Sequence, residues 1–343
     1  MKFVSYRSWD QLPAGADALF ADAVETSVFL SRQWFETLQT TALADDQTLL
    51  LAGVLDRDRL LALLPLVALD GANLTSVRHR YTPLYSLLLV EGDRPAVLAC
   101  LVEGLKALPM DSLQLEPVAE DDRNILALQE AMQSAAYVCH RHFRFYNWFH
   151  RTRGQSFEDY MQQRPARVRN TIARKRRQLE RDHGYAIRMF RGPEVQQGLR
   201  DYHRAYRASW KAHEQYRALL DALAVNLAVH DWTRLAVLYV ADKPAAAQLW
   251  FVAQRKANIF RLAYDEDWKR YSPGSILTEY LMEYVIDGDR VEEIDFLTGN
   301  EPYKQDWMSQ RRERCGLIFS RTPRPLGRWN ALIATVQGLF KRG

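Results

Sequence analysis

Apolar residues fall in two short blocks at 47–55 and 59–69, split by Asp56-Arg57-Asp58, and that spacing predicts a β-hairpin. Before it come a short strand and a helix carrying Phe29, Trp34, Phe35 and Leu38. A third strand-like region at 74–90 is interrupted at Thr82-Pro83, because proline cannot serve a central ladder position. A helix at 94–108, a strand at 112–116, a helix at 122–134 and a long strand at 137–149 follow. Helical spacing then returns at 156–163 and 165–183, ahead of a strand at 185–190 and a helix at 193–213. A meander comes next, at 234–241, 246–254 and 259–264, with turns at Asp242-Lys243-Pro244 and Lys256-Ala257-Asn258.

The stretch 264–307 organises what remains. Ser272-Pro273-Gly274-Ser275 opens a helix, since serine can cap it and proline at the first position gives up only an N–H without a helical partner. Ile276, Leu277, Tyr280, Leu281, Tyr284 and Val285 form its buried stripe, and Gly288 stops it. A buried strand at 293–297 leads into the polar loop Thr298-Gly299-Asn300-Glu301-Pro302-Tyr303-Lys304, and a last strand lies near 316–320. A strand end beside a helix N-terminus marks a candidate site. The order β-β-β-α-β appears in both halves, so the chain reads as a degenerate repeat of one α/β unit. The expected division is 1–150, 151–321 and a terminal amphipathic helix at 322–343. That helix shows Leu326, Trp329, Leu332, Ile333, Val336, Leu339 and Phe340 on one face, to dock on the body or to touch a membrane peripherally.

Composition narrows the class. The 343 residues are 48% hydrophobic and 26% charged, which excludes a disordered or fibrous chain, and a net charge of +4 does not by itself imply nucleic-acid binding. Cys100, Cys139 and Cys315 lie far apart without a metal-ligand pattern, so no metal site or disulfide framework is expected. No signal peptide or membrane span is expected, and the chain is placed in the cytoplasm. Charge is concentrated at 164–181, where eight Lys or Arg residues (164, 167, 169, 174, 175, 176, 177 and 181) face one acid, Glu180. The run is a solvated helix surface or an electropositive rim for an anionic ligand, with Arg174 on the outer side and Lys175 on the inner face, where it must snorkel or meet an anion.

Three segments, RVRNTIARKRRQLERDHGY (167–185), YDEDWKRYSPGSILTEYLMEY (264–284) and EIDFLTGNEPYKQDW (293–307), together resemble the CelD-like branch of the GNAT acetyltransferase superfamily. This branch accompanies cellulose and exopolysaccharide synthesis and is similar in architecture to FemAB-type transferases, which join two GNAT units. The resemblance covers about 150–320; over 1–150 it rests on element order. It implies two tandem GNAT-like units with mixed, mainly antiparallel sheets flanked by helices, the first a scaffold or acceptor-binding unit. It implies an N-acyltransferase that moves an acyl group from acetyl-coenzyme A or another acyl-coenzyme A to an amine, such as an amino sugar. FemAB-type relatives take the group from aminoacyl-tRNA instead, and a non-catalytic scaffold in polysaccharide assembly is the alternative from another class. Carried over, Leu262, Ala263 and Tyr264 line the pantetheine arm, and Gly274, Ser275 and Ile276 offer N–H groups to its phosphates. The usual Gln/Arg-x-x-Gly-x-Gly/Ala loop is approximated only by Arg270, Gly274 and Ser275.

Acyl transfer to an amine needs a base, donors for the carbonyl oxygen and a proton for the departing group. Past His230 there is no histidine, so the carboxylates Asp265, Glu279, Asp295 and Glu301 come forward unless an earlier imidazole folds in. Asp295, inside an apolar strand, is either a base with a raised pKa or a loop anchor that binds Lys304 or a backbone N–H. Tyr303 is a candidate proton donor and Lys304 a candidate anion holder, while Glu279 is a second catalytic carboxylate or a solvated one. Gln248 and Trp250, alternating on one side of a central strand, are candidates to meet the donor amide or the acceptor, as is Asp265. His140 and His142 have no third ligand at metal-binding spacing and read as structural.

Overall fold

The computed structural model describes residues 1–44, 46–69, 72–211 and 214–321, so the amphipathic reading of 322–343 lies outside the described residues. The chain forms two compact units, one of Met1–Phe145 with the described residues from Glu313 on, the other Tyr146–Arg312. The strand expected at the end of 151–321 therefore pairs into the first unit.

The first unit holds β1 (Lys2–Tyr6), α1 (Ala16–Thr26), α2 (Arg32–Ala42), β2 (Thr48–Asp56), β3 (Arg59–Ala68), β4 (Asn73–Ser76), β5 (Leu88–Leu89), α3 (Arg94–Lys106), β6 (Ser112–Ala119), α4 (Arg123–Ser134) and the start of β7 (Val138–Arg151). The aromatic run expected as one helix is split, because Ser27 and Ser31 each accept a backbone N–H and cap a new turn. The β2–β3 hairpin turns at Arg57, which takes positive φ. The 74–90 region is two short strands around an irregular segment.

In the second unit α5 (Phe157–Gln162) and α6 (Ala166–Asp182) precede β8 (Ala186–Phe190), α7 (Val195–Arg207) and α8 (Arg217–Ala228). The meander is β9 (Thr233–Val240), β10 (Lys243–Ala253) and β11 (Lys256–Tyr264), followed by α9 (Pro273–Glu283), β12 (Glu293–Thr298) and the short α10 (Lys304–Trp307). β13 (Gln310–Ser320) leads back to the first unit. The sheet order here is β7-β12-β11-β10-β9-β8. Both meander turns fall earlier than expected, at Ala241-Asp242 and Gln254-Arg255, all four with positive φ. Ala236, Leu238 and Trp250 face a core shared with α6 and α9 through Ile172, Leu179, Ile276, Leu277 and Leu281. On the opposite face α7 lies close, with Gly198 against Phe190 and Leu235.

Candidate functional site

β11 pairs in parallel with β12 only from Lys256 to Asn258, against Glu293 to Asp295. Beyond that point the strands part. Phe260 is an extra residue on β11, since Leu249 pairs with Arg261 but Trp250 with Ile259, and such a bulge twists and re-aims the strand. The end of β11 thus presents an edge without a ladder partner on β12, beside the start of α9.

Four segments meet at that edge. Gly274 abuts Tyr264: a Cβ on the glycine would stand 3.1 Å from Tyr264 Cδ1. Trp210, from the α7–α8 connection, lies over Tyr264 with ring centroids 4.4 Å apart. The Ala208 carbonyl accepts from Glu266 N at 3.1 Å and so ties this connection to the turn after β11. Lys211 donates from Nζ to the Leu262 carbonyl and lies 5.5 and 5.7 Å from the rings of Trp210 and Tyr206. Arg261 pairs with Glu214 at 3.6 Å. Burial, then Arg261, lower the Lys211 ammonium to about 8 against the opposing pull of Glu214 and Glu301. From the loop after β12, Tyr303 packs edge-on against Phe296, and desolvation followed by Glu301 pushes its phenol up to about 12.

The start of α9 departs from a capped helix. Ser272 sits in the left-handed region and its side chain caps nothing; instead its carbonyl accepts the N–H groups of Ser275 and Ile276. Of the three N–H groups expected to face phosphate, only Gly274's does not turn back on that carbonyl. Gln248 and Trp250 are buried beneath α9. Gln248 Nε2 donates to the Gly274 carbonyl (2.9 Å) and to Thr278 Oγ1 (2.7 Å), while its Oε1 accepts from Trp250 Nε1 (2.9 Å). With every polar atom engaged, they position the first turn of α9 and do not face a substrate.

Other candidates also take internal partners. Asp265 caps the 3-10 turn Glu266–Tyr271 by accepting from Asp267 N at 3.0 Å. Lys304 is 4% exposed, and its ammonium donates to the Phe296 and Thr298 carbonyls and pairs with Glu301 at 2.9 Å, so it fastens the loop and is not presented to an anion. Asp295 accepts from Asn147 and from Leu297 N and pairs with Arg312 Nη2 at 2.6 Å, which is the anchoring arrangement with Arg312 in place of Lys304. Glu279 pairs with Arg176 at 2.9 Å; burial raises its pKa, Arg176 lowers it and Glu283 raises it again.

Most of the basic run is exposed, at Arg167, Arg174, Arg176, Arg177 and Arg181, as a solvated helix surface requires, while some of its members take internal partners. Arg164 is buried and donates to the Trp307 carbonyl at 2.7 Å, Arg167 pairs with Asp306, and Lys175 donates to the Arg270 carbonyl. Arg270 lies over the Tyr271 ring (4.6 Å) and donates to its hydroxyl (2.7 Å). Arg174 is exposed. Two earlier histidines do fold into this unit. His183 meets the Tyr271 hydroxyl at 2.9 Å. His150 lies between Ser309 and Gln155, and burial, then Arg164 and Arg153, lower it to about 4. Gln163 donates to Gln155 Oε1, which leaves the Gln155 amine to donate to His150 Nε2 and His150 Nδ1 to donate to Ser309, so the serine is not activated.

Trp210, Lys211 and Glu214 escaped the sequence reading, which ran a helix through 213. Spacing gave no signal of the break, because Trp210 continues the i, i+4 series of Tyr202 and Tyr206 although α7 ends at Arg207. Among the described residues no group of three or more His, Cys, Asp or Glu side chains is arranged to hold a metal ion, and no helix is long and apolar enough to cross a membrane.

Residues 166–305, which lie within the second unit, match the family model described as Acetyltransferase (GNAT) domain. No curated protein sequence matches the chain. Among solved structures, FemX superposes with a TM-score of 0.65 at 10% identity, over 93% of this chain and 97% of that one. The L-PGS structure from Bacillus licheniformis gives 0.55 at 12% identity, over 91% and 96%. A tandem GNAT protein from the clavulanic acid biosynthesis pathway gives 0.51 at 16%, over 94% and 99%. At these identities the likeness is one of fold, and that fold is a mixed α/β, FemAB-like architecture.

Proposed function

We propose that the second unit transfers an acyl group, acetyl in the simplest case, from an acyl-coenzyme A to an amine acceptor. The observation that carries this reading is the open edge of β11 running into the first turn of α9, within the segment that matches the GNAT domain. Bound there, an acyl-coenzyme A thioester supplies an activated carbonyl and a thiolate leaving group. Leu262, Ala263 and Tyr264 hold the arm along the strand edge. Gly274, whose missing side chain makes room for the Tyr264 ring, offers its N–H to a phosphate, and Arg270 with Lys175 supplies positive charge nearby. Tyr303, protonated throughout the neutral range, donates to the departing sulfur. Glu301, which acts electrostatically on both Tyr303 and Lys211, takes the proton from the acceptor ammonium. Glu279 and Asp295 hold the helix and the loop in place.

The acceptor class that fits the CelD-like resemblance is an amino sugar or precursor in exopolysaccharide or envelope synthesis, handled in the cytoplasm. Titration with acetyl-coenzyme A tests the donor: saturable binding lost in Gly274→Glu supports it, and no binding by the parent protein refutes it. A second reading, aminoacyl transfer from tRNA, draws on the exposed cation at Arg174; salt-sensitive tRNA binding without coenzyme A binding favours it. Absence of both leaves the scaffold.

A further inference from the structure

We infer that Lys211 is a displaceable internal ligand of the donor groove: its ammonium occupies the Leu262 carbonyl on the open edge of β11, and it swings into solvent when the donor arm takes that edge. The inference rests on the donor reading above. In the structure the Leu262 carbonyl is reached by a side chain from another element, so it is accessible from outside the sheet. The side chain that reaches it comes from the α7–α8 connection, next to the exposed Trp210, so the lysine has somewhere to go. A donor amide that pairs with the strand edge needs this same acceptor, and the two cannot share it in full.

Displacement has a proton signature. The titratable and charged groups facing Lys211 are Glu214 on its own connection, Tyr206 on α7, Arg261 on β11, and Glu301 from the loop after β12. In place, the ammonium is disfavoured by burial and by Arg261, which bring it to about 8. Released into water it returns to the ordinary lysine value of about 10.4. The bound state therefore holds more protons than the free state between those two values. Donor affinity is level below about pH 8, then falls roughly tenfold per pH unit up to about pH 10, with proton uptake on binding.

The experiment is isothermal titration of the full chain with acetyl-coenzyme A, which has no free thiol, from about pH 6.5 to 9.5 in buffers of differing ionisation enthalpy. Wild type is expected to show uptake and the loss of affinity above about pH 8. Lys211→Met, which keeps the apolar stem, and Lys211→Arg, which stays charged, are expected to bind with neither. Equal uptake in wild type and both variants, no uptake in wild type, or affinity that rises with pH overturns the displacement while leaving the donor reading intact. No binding in any of the three proteins overturns the donor reading and this inference with it.

Discussion

Tyr303 carries the clearest chemical expectation of any single residue. Its phenol is pushed up to about 12, mainly by desolvation and then by Glu301, so it remains a proton donor at every working pH. Tyr303→Phe keeps the ring against Phe296 and removes only the hydroxyl. General-acid catalysis is typically worth about 10²–10⁴-fold, so kcat is expected to fall by about a hundredfold with little change in the donor KM. Steady-state kinetics on an amine acceptor checks this, and an unchanged kcat excludes Tyr303 as the donor of that proton. The side chains at this scale were only partly legible. Tyr303 could be picked out because it ends a polar loop, whereas the partners of Asp295, Lys304 and Gln248 could not. Asp295 is anchored by Arg312 and Asn147, distant in sequence, and periodicity carries no information about which distant cation meets a buried carboxylate.

Elements were more legible than contacts, because helical and strand spacing is set locally. The α3, β6, α4, α6, β8, β9 and β12 segments follow the spacing closely. Two features did not. α8 was passed over although Leu219, Leu220, Leu223, Ala224 and Leu227 are buried, for no side chain caps its start and no punctuating Gly or Pro marks it. The meander turns were displaced because their positive-φ positions are filled by Ala241-Asp242 and Gln254-Arg255, without the Asn-Gly signal such turns usually show. One helical glycine gives a test of how tightly an element must fit. A Cβ on Gly198 would come within 2.7 Å of the Phe190 ring and 2.8 Å of Leu235 Cδ2, so α7 approaches the sheet only because no side chain intervenes. Gly198→Ala has a helix-propensity gain of about 1 kcal/mol, yet overpacking costs about 1–3 kcal/mol. Net destabilisation is expected in chemical denaturation; a stabilised variant would show that α7 can lift without loss.

The acid response of the whole chain follows from groups that neither motif nor spacing exposes. In the first unit Glu116 is fully buried. Desolvation raises its pKa, but Arg78, His142 (2.9 Å) and Arg144 (3.1 Å) outweigh this and bring it to about 2. Gly316 makes the cluster possible, since a Cβ there would stand 2.4 Å from the His142 ring and 2.6 Å from Glu116 Oε2. Its carboxylate contributes stability above the unfolded value near 4.5, and that contribution is lost as pH falls through the window down to about 2. In the second unit His150 is held neutral down to about 4, below its ordinary 6.5, so protons bind the unfolded chain preferentially between those values. Its contribution is complete above 6.5 and is lost as pH falls toward 4. Stability is therefore expected to decline in two stages, first with the imidazole and then with the carboxylate. His150→Gln should flatten the upper stage alone. Glu116→Gln should remove the lower stage and, by leaving the buried Arg78 without its counter-charge, destabilise the chain by about 3–5 kcal/mol at neutral pH. Denaturant midpoints measured from pH 7 to 3 separate the two, and a single decline unaffected by His150→Gln would place the acid sensitivity elsewhere.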